Sequence, residues 1–438
     1  MLGLVLQSGF EITPYTELAD FLVVNTCGFL EASRNEALVA ISDLIAEKKP
    51  EAKIIVAGCM VQKHARLLKE EFPQIHYFLG SGDTDKILEA IRCQEQGEAI
   101  SDARSYLNLG EIPRVLSTPS HYAYLKIAEG CKKRCSFCII PNIKGRLKSK
   151  PISQIVREFH ALLNRGVREI ILIAQDLGDY GKDLKIENGL AALLQELLKT
   201  KKDFWLRLLY LYPDEITEDL IDLMEKDKRI CRYVDMPIQH INDQILKSMH
   251  RKTNRKQIID IITNLRKRMP DIVIRTSLMV GFPGETDEQF EELVRFIKDH
   301  PLDQIGIFKY SKEAESYSAS LPGHLPEEIK QKRLDILAET QQEILEKILQ
   351  KYLGRCMPVI LEGYHPKSPY LMRGRFFGQA PEVDGEIIIN DGRKVDEFGT
   401  LYEVKITDVI GYDLIGKVLK KAASQKQKTP ASPLTIIS

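Results

Sequence analysis

The segment EGCKKRCSFCII sets Cys131, Cys135 and Cys138 within eight residues. Thiolates on one short loop can each take a corner of a cubane iron-sulfur cluster, which leaves one iron without a protein ligand. A closed zinc site needs a fourth nitrogen or sulfur donor at short range. None follows Cys138 before His160, which falls in a helical run, so zinc is the weaker reading. A chance cluster of core cysteines conflicts with Lys132, Lys133 and Arg134 on the same loop, which should face water. Cys27 in DFLVVNTCGF and Cys59 in AKIIVAGCM each close a short β-branched run. The other three cysteines, Cys93, Cys231 and Cys356, stand alone and are expected to be small buried hydrophobes.

The elements that must position these residues fall into three regions of an α/β chain. In the first, strand-like runs ending at Cys27 and Cys59 flank the helical ASRNEALVAISDLIAEKKP, a βαβ unit with parallel strands. Both cysteines lie past the carboxyl ends of their strands, where open parallel sheets present ligands, so they could meet. The opening LGLVLQSG reads as a helix stopped at Gly9, a crossover with no strand before it. From Tyr122 to Tyr310, apolar runs alternate with amphipathic helices in six βα units, the pattern of a partial (β/α)6 barrel with its site at the carboxyl-end face. A long helix starts at Pro326, stops at Gly354 and carries Leu334, Leu337, Ile344, Ile348 and Leu349 on one stripe, as a bridge between domains would. Short strands with glycine turns then predict a small antiparallel, OB-like β-barrel. Domains are placed at 1–110, 117–350 and 354–421, with a disordered tail at 422–438.

Bulk composition narrows the function classes. Lys plus Arg and Asp plus Glu both number 62, so no net charge draws the whole molecule to nucleic acid or membrane. No apolar run approaches a membrane span and no secretion signature opens the chain, which indicates a cytoplasmic protein. From Arg355 to Lys417, eight basic residues face ten acidic ones. A domain gripping RNA phosphates should be clearly basic, so no strong nucleic-acid binding is expected.

The spacing Cys-x3-Cys-x2-Cys, with Phe137 before the last cysteine and a barrel strand before the first, resembles the radical S-adenosylmethionine superfamily. The resemblance implies a 4Fe-4S cluster on Cys131, Cys135 and Cys138, its fourth iron chelated by S-adenosylmethionine. One-electron reduction would then release a 5′-deoxyadenosyl radical. Over residues 1–420 the chain resembles the methylthiotransferase family, with a cysteine-bearing first domain and a last domain called TRAM. One branch of that family acts on tRNA adenosine and the other on an aspartate of ribosomal protein uS12. NTCGF, AQDLGDYGKD, YLYPDEI, YVDMPIQHINDQILKSMHR and GFPGETDEQFEEL are similar to the second branch. The tRNA branch tends to carry Asn where Asp176 stands and QSGS where Gln239 and His240 stand.

The family further implies a second 4Fe-4S cluster on three first-domain cysteines, two of them matching Cys27 and Cys59. The third would lie before residue 1, in a segment that also supplies the missing first strand, so the start is expected to have been assigned too late. Without the family, Cys27 and Cys59 could as well be strand-end core residues. Asp176, Gln239 and Gly281, at the carboxyl-end face, are the candidates for contacting S-adenosylmethionine. Thr286 and Gln289 form a capping box, and His240 is read as structural. Lys144, Arg146, Lys148 and Lys150 are read as a solvated loop, with a docking patch for an acidic reductant as the alternative. The expected activity is methylthiolation of uS12, free or in the small subunit, with flavodoxin or ferredoxin as reducing partner. A tRNA methylthiotransferase and a non-enzymatic RNA-binding protein with a structural metal are the rivals.

Overall fold

Lys53–Gly58 reads KIIVAG, an apolar run without alternation, and such runs suit strands covered on both faces. The computed structural model describes residues 1–101, Leu107, 114–422 and the backbone of Ile436 and Ile437. It places this strand between Phe21–Thr26 and Tyr77–Leu79 in a four-stranded parallel sheet that ends at Gly97–Ala99. Helices Glu31–Glu47 and Cys59–Glu71 pack Ile41, Met60, Val61 and Leu68 on one face. Leu2–Gln7, a helix before the first strand, joins Ile87–Arg92 in covering the other.

The six expected barrel strands are Tyr122–Lys126, Glu169–Ile173, Trp205–Leu208, Tyr233–Asp235, Val273–Val280 and Gln304–Lys309. Neighbours run parallel in chain order. A parallel bridge from Leu206 to Ile230 and a 2.8 Å bond from the Leu211 N–H to the Asp235 carbonyl join the two halves. Successive side chains on a strand point to opposite faces, and here the faces serve two cores. Ala123, Leu125, Ile170, Leu172 and Ile274 pack into the helix layer. Tyr122, Ile171, Tyr233 and Val273 point inwards and pack against the C-terminal barrel.

That C-terminal barrel closes from Cys356–His365, Ser368–Arg375, Ile387–Asp391, Thr400–Ile410 and Asp413–Lys421. It departs from the antiparallel expectation at one seam, where Ile387–Asp391 and Asp413–Lys421 run parallel. Five strands are an odd number, so direction cannot alternate all the way round a closed barrel. The last strand reaches Lys421, and Lys420 and Lys421 raise the basic count from eight to ten, level with the acidic residues. The long helix Glu327–Gln350 bridges the two parts, giving Leu337 and Ile344 to one core and Leu345 and Leu349 to the other.

A buried ion network fastens the barrels together. Glu169 accepts from Arg207 Nε at 2.6 Å and from Arg375 Nη2 at 2.7 Å. Arg375 also bonds Glu362 at 2.7 Å, which meets His121 Nε2 at 3.1 Å. Burial alone would raise Glu169, but the Arg207 and Arg375 guanidinium groups outweigh it and hold the carboxyl at about 2. Charges inside the lower half of the open barrel are thus matched by the domain that plugs it.

Of the solitary cysteines, Cys231 is buried and Cys93 half-buried, but Cys356 is exposed, because it opens the first barrel strand where the chain leaves the long helix. Residues 423–435 and 438, on which the expected disordered tail falls, lie outside the described residues. Ile436–Ile437 pairs antiparallel with Arg114–Val115, so those two positions depart from that expectation. Among the described residues no helix is long and apolar enough to cross a membrane.

Candidate active site

The first barrel strand delivers the chain to Gly130, where φ is +76° and a Cβ would lie 2.2 Å from the Arg146 carbonyl oxygen. Only glycine lets the cysteine loop start so close to its own return, and the Cys131 N–H bonds the Gly145 carbonyl at 3.2 Å. Every sulfur on the loop meets a donor. The Lys133 N–H points at Cys131 Sγ at 3.4 Å and the Ile140 N–H at Cys138 Sγ at 3.5 Å. Cys135, the buried one, shares a 3.0 Å hydrogen bond with the Tyr212 hydroxyl and receives Arg251 Nη1 at 3.7 Å. Arg251 also stacks on the Tyr212 ring at 3.9 Å. Burial pushes the Cys131 thiol up to about 12 and the Cys138 thiol up to about 11. Thiolates in this loop therefore need a positively charged centre between them, and an iron-sulfur cluster is such a centre. The donor set fits that group.

Lys133 does not face water as its sequence neighbours do. Its ammonium lies among Glu215 at 2.6 Å, Asp214 at 3.1 Å, Asp176 at 3.3 Å and Asp179 at 3.7 Å. Burial alone would lower it, but Asp176 and Glu215 outweigh that and raise it. Asp176 in turn accepts the Tyr212 N–H at 3.3 Å and the Gly178 N–H at 3.0 Å, and burial raises its carboxyl to about 6. A closed ring results, from the cysteine loop through Lys133, Asp176 and Tyr212 back to Cys135.

The other two expected cofactor contacts lie elsewhere on the carboxyl-end face. Gln239 is half-buried with φ at +71°, its N–H bonded to the Ser277 carbonyl at 2.9 Å and its carbonyl to the Met279 N–H at 2.8 Å. Gly281 is buried in a turn. Its N–H donates to Glu285 at 2.5 Å, and a Cβ would lie 2.4 Å from the Lys330 side chain. His240 is fully buried, accepts the Asn242 N–H at 3.0 Å and is pushed down to about 3 by burial and Arg333, which makes it a neutral structural group. The Thr286–Gln289 capping box is present. Tyr212 and Arg251 both fall inside family-like motifs, YLYPDEI and YVDMPIQHINDQILKSMHR, but neither motif marks its residue as a partner of Cys135.

In the first domain, Cys27 is exposed and Cys59 half-buried, so neither is a core residue. Thr26 and Gly58 are register partners, which puts the two cysteines side by side at the sheet's carboxyl edge. Gly28 lies so close that a Cβ would sit 2.8 Å from Cys59 backbone atoms. Gly58 has φ at +108°, and a Cβ there would approach the Thr26 carbonyl to 2.4 Å. Gly58→Ala is expected to destabilise this domain by on the order of 1–3 kcal/mol. Hydrogen exchange should quicken across Lys53–Gly58 and stay unchanged in the barrel strands.

This edge faces the barrel. Arg34 pairs with Glu313 at 2.9 Å and Lys63 with Glu315 at 2.7 Å, and the helix that Cys59 opens touches Ile140–Lys144, just after Cys138. The basic run beyond that helix is not a solvated loop throughout. Lys150 is buried on Glu158 at 2.7 Å and Lys144 reaches Glu129 at 3.3 Å, leaving Arg146 and Lys148 exposed.

A three-cysteine loop after the first strand of an open parallel barrel defines the radical S-adenosylmethionine class, and the family model described as the radical SAM superfamily matches residues 125–297. Models described as uncharacterized protein family UPF0004 and TRAM domain match 1–80 and 353–419. Ribosomal protein uS12 methylthiotransferase RimO of Protochlamydia amoebophila is 56% identical over 421 residues, 96% of this chain and 89% of the relative. The proteins of that name from Chlamydia abortus and Bdellovibrio bacteriovorus are 53% and 41% identical over 97% and 96% of this chain, each covered to 93%. The chain belongs to the RimO family of radical S-adenosylmethionine methylthiotransferases.

Proposed function

We propose that this chain replaces a hydrogen on the β-carbon of an aspartate in ribosomal protein uS12 with a methylthio group, giving 3-methylthioaspartate. The observation that carries the reading is 56% identity to a uS12 methylthiotransferase across 96% of the chain, both flanking domains included. Cys131, Cys135 and Cys138 would hold a 4Fe-4S cluster with one iron left for S-adenosylmethionine. Bound there and reduced by one electron, that pair supplies a 5′-deoxyadenosyl radical to take the aspartate hydrogen. The Tyr212 hydroxyl and the Arg251 guanidinium orient Cys135, and Lys133 with Asp176 keeps the loop closed around it. Asp176 is thereby a positioning residue. Gln239 keeps its assignment to the S-adenosylmethionine pocket, whereas Gly281 is assigned to the turn that Glu285 and Lys330 fill.

Cys27 and Cys59 are assigned to a second cluster that carries the inserted sulfur, supported by their adjacency and by the edge they turn towards the barrel. Because the C-terminal barrel plugs the lower half of the open barrel, substrate enters at the carboxyl-end face. That plug's even charge, with Arg375 buried in ion pairs, favours a protein substrate over tRNA. The electron would come from a low-potential carrier such as flavodoxin or ferredoxin, in the cytoplasm where ribosomes are modified. The test is anaerobic incubation of the reconstituted chain, reductant and S-adenosylmethionine with small subunits and, in parallel, tRNA. A methylthio mass gain on one uS12 aspartate is expected. A gain on tRNA adenosine would move the chain to the other branch.

A further inference from the structure

We infer that the solvent face of the cysteine loop is the docking site for an acidic one-electron carrier protein. The inference rests on the function proposed above, which needs an electron delivered beside Cys135. A pocket of about 230 Å3 opens over that sulfur, with Tyr212 and Arg251 at its floor and Lys132, Arg134, His250 and Lys252 around its mouth. All four mouth residues are exposed. Inside the pocket Lys133 is neutralised by its carboxylates. At the mouth, Lys132, Arg134 and Lys252 enter no ion pair among the described residues, whereas Arg34, Lys63, Lys144 and Lys150 all do. Among the described residues, none of the first domain or of the C-terminal barrel lines the pocket, so both can stay docked while it is occupied.

Unpaired cations over a redox site fit a partner that carries a complementary acidic surface. The Tyr212 hydroxyl at 3.0 Å and the Arg251 guanidinium at 3.7 Å put protein atoms between the mouth and the Cys135 sulfur. The transfer balances simply, since the carrier loses one electron and the cluster gains it, with no bond made or broken. Phosphate could also meet such a rim, but an RNA contact gives no reason for the pocket to end on a cluster ligand.

The test uses the reconstituted full chain and follows cluster absorbance after rapid mixing with photoreduced flavodoxin or with dithionite, a small reductant that needs no docking. For the triple variant Lys132→Glu, Arg134→Glu, Lys252→Glu, the second-order rate with flavodoxin should fall on the order of 10-fold or more at low salt. Salt should slow the parent protein and leave the variant nearly unchanged, because screening removes the attraction. Iron content and dithionite reduction should match the parent, and the single Lys252→Glu change should give an intermediate rate. The pair Arg146→Glu, Lys148→Glu, exposed but outside the pocket, should react like the parent. An unaltered flavodoxin rate in the triple variant overturns the inference, and so does an equal loss in the control pair. If the triple variant is reduced normally yet no longer modifies small subunits, the rim is an RNA contact and the inference is wrong. A parent protein that retains no iron, or whose cluster dithionite cannot reduce, sinks the functional reading itself.

Discussion

Cys135→Ser is expected to abolish S-adenosylmethionine cleavage while leaving the fold intact. The loop is held by its backbone as well as by its sulfurs. The Ser136 N–H bonds the Met249 carbonyl at 3.1 Å, and the Ser136 carbonyl takes the Ser318 N–H at 2.8 Å. Removing one thiolate leaves two ligands for a cluster that needs three, so chain-bound iron should drop by about four atoms. The loss of 5′-deoxyadenosine production should be complete. Tyr212→Phe removes only the hydroxyl at 3.0 Å from that sulfur. It should keep the iron and cost about 10–100-fold in activity, the usual range for a group supporting a metal ligand. Iron analysis together with 5′-deoxyadenosine production separates the two variants. If Cys135→Ser retained full iron, the cysteine loop would not be the cluster site.

Arg375→Met should be strongly destabilising. It takes a buried cation from between Glu169 and Glu362 and leaves Glu169 with Arg207 alone and Glu362 with His121 alone at the seam of the two barrels. Breaking a buried ion pair by removing one partner costs about 3–5 kcal/mol. Limited proteolysis should then release the C-terminal barrel from an otherwise folded chain. The same network carries a pH signature. Glu169 stands at about 2 when folded against an ordinary 4.5. A depressed carboxyl stabilises fully above the ordinary value and loses its contribution as pH falls from 4.5 towards 2. Thermal unfolding of the parent should therefore steepen with acid in that window, and Glu169→Gln should flatten it.

Much of this was readable from residue order, for physical reasons that differ by element. The barrel strands announced themselves as short apolar runs because most of them are covered by helices on one face and, at their inward residues, by the plug, while Gln304–Lys309 at the open edge is only half-buried. Cys131, Cys135 and Cys138 were legible because one loop supplies all three. Lys133 was misread as solvated, since its four carboxylate partners come from segments more than 40 residues away. Arg251 closes a family-like motif, but its role beside Cys135 was hidden for the same reason. The parallel seam of the last barrel follows only from a closed count of five strands, and LYEVKITDVIGYDLIGKV reads as one run although a hairpin at Gly411 splits it into two. The Glu169–Arg207–Arg375 network joins three distant charges, none of which looks unusual alone.

The measurement closest to the proposed chemistry is the fate of deuterium placed on the β-carbons of uS12 aspartates. After anaerobic turnover with this chain, S-adenosylmethionine and reductant, one deuterium should appear in 5′-deoxyadenosine while the same aspartate gains a methylthio group. Methylthiolated uS12 with unlabelled 5′-deoxyadenosine would contradict hydrogen abstraction by the radical that the Cys131, Cys135 and Cys138 site is proposed to generate.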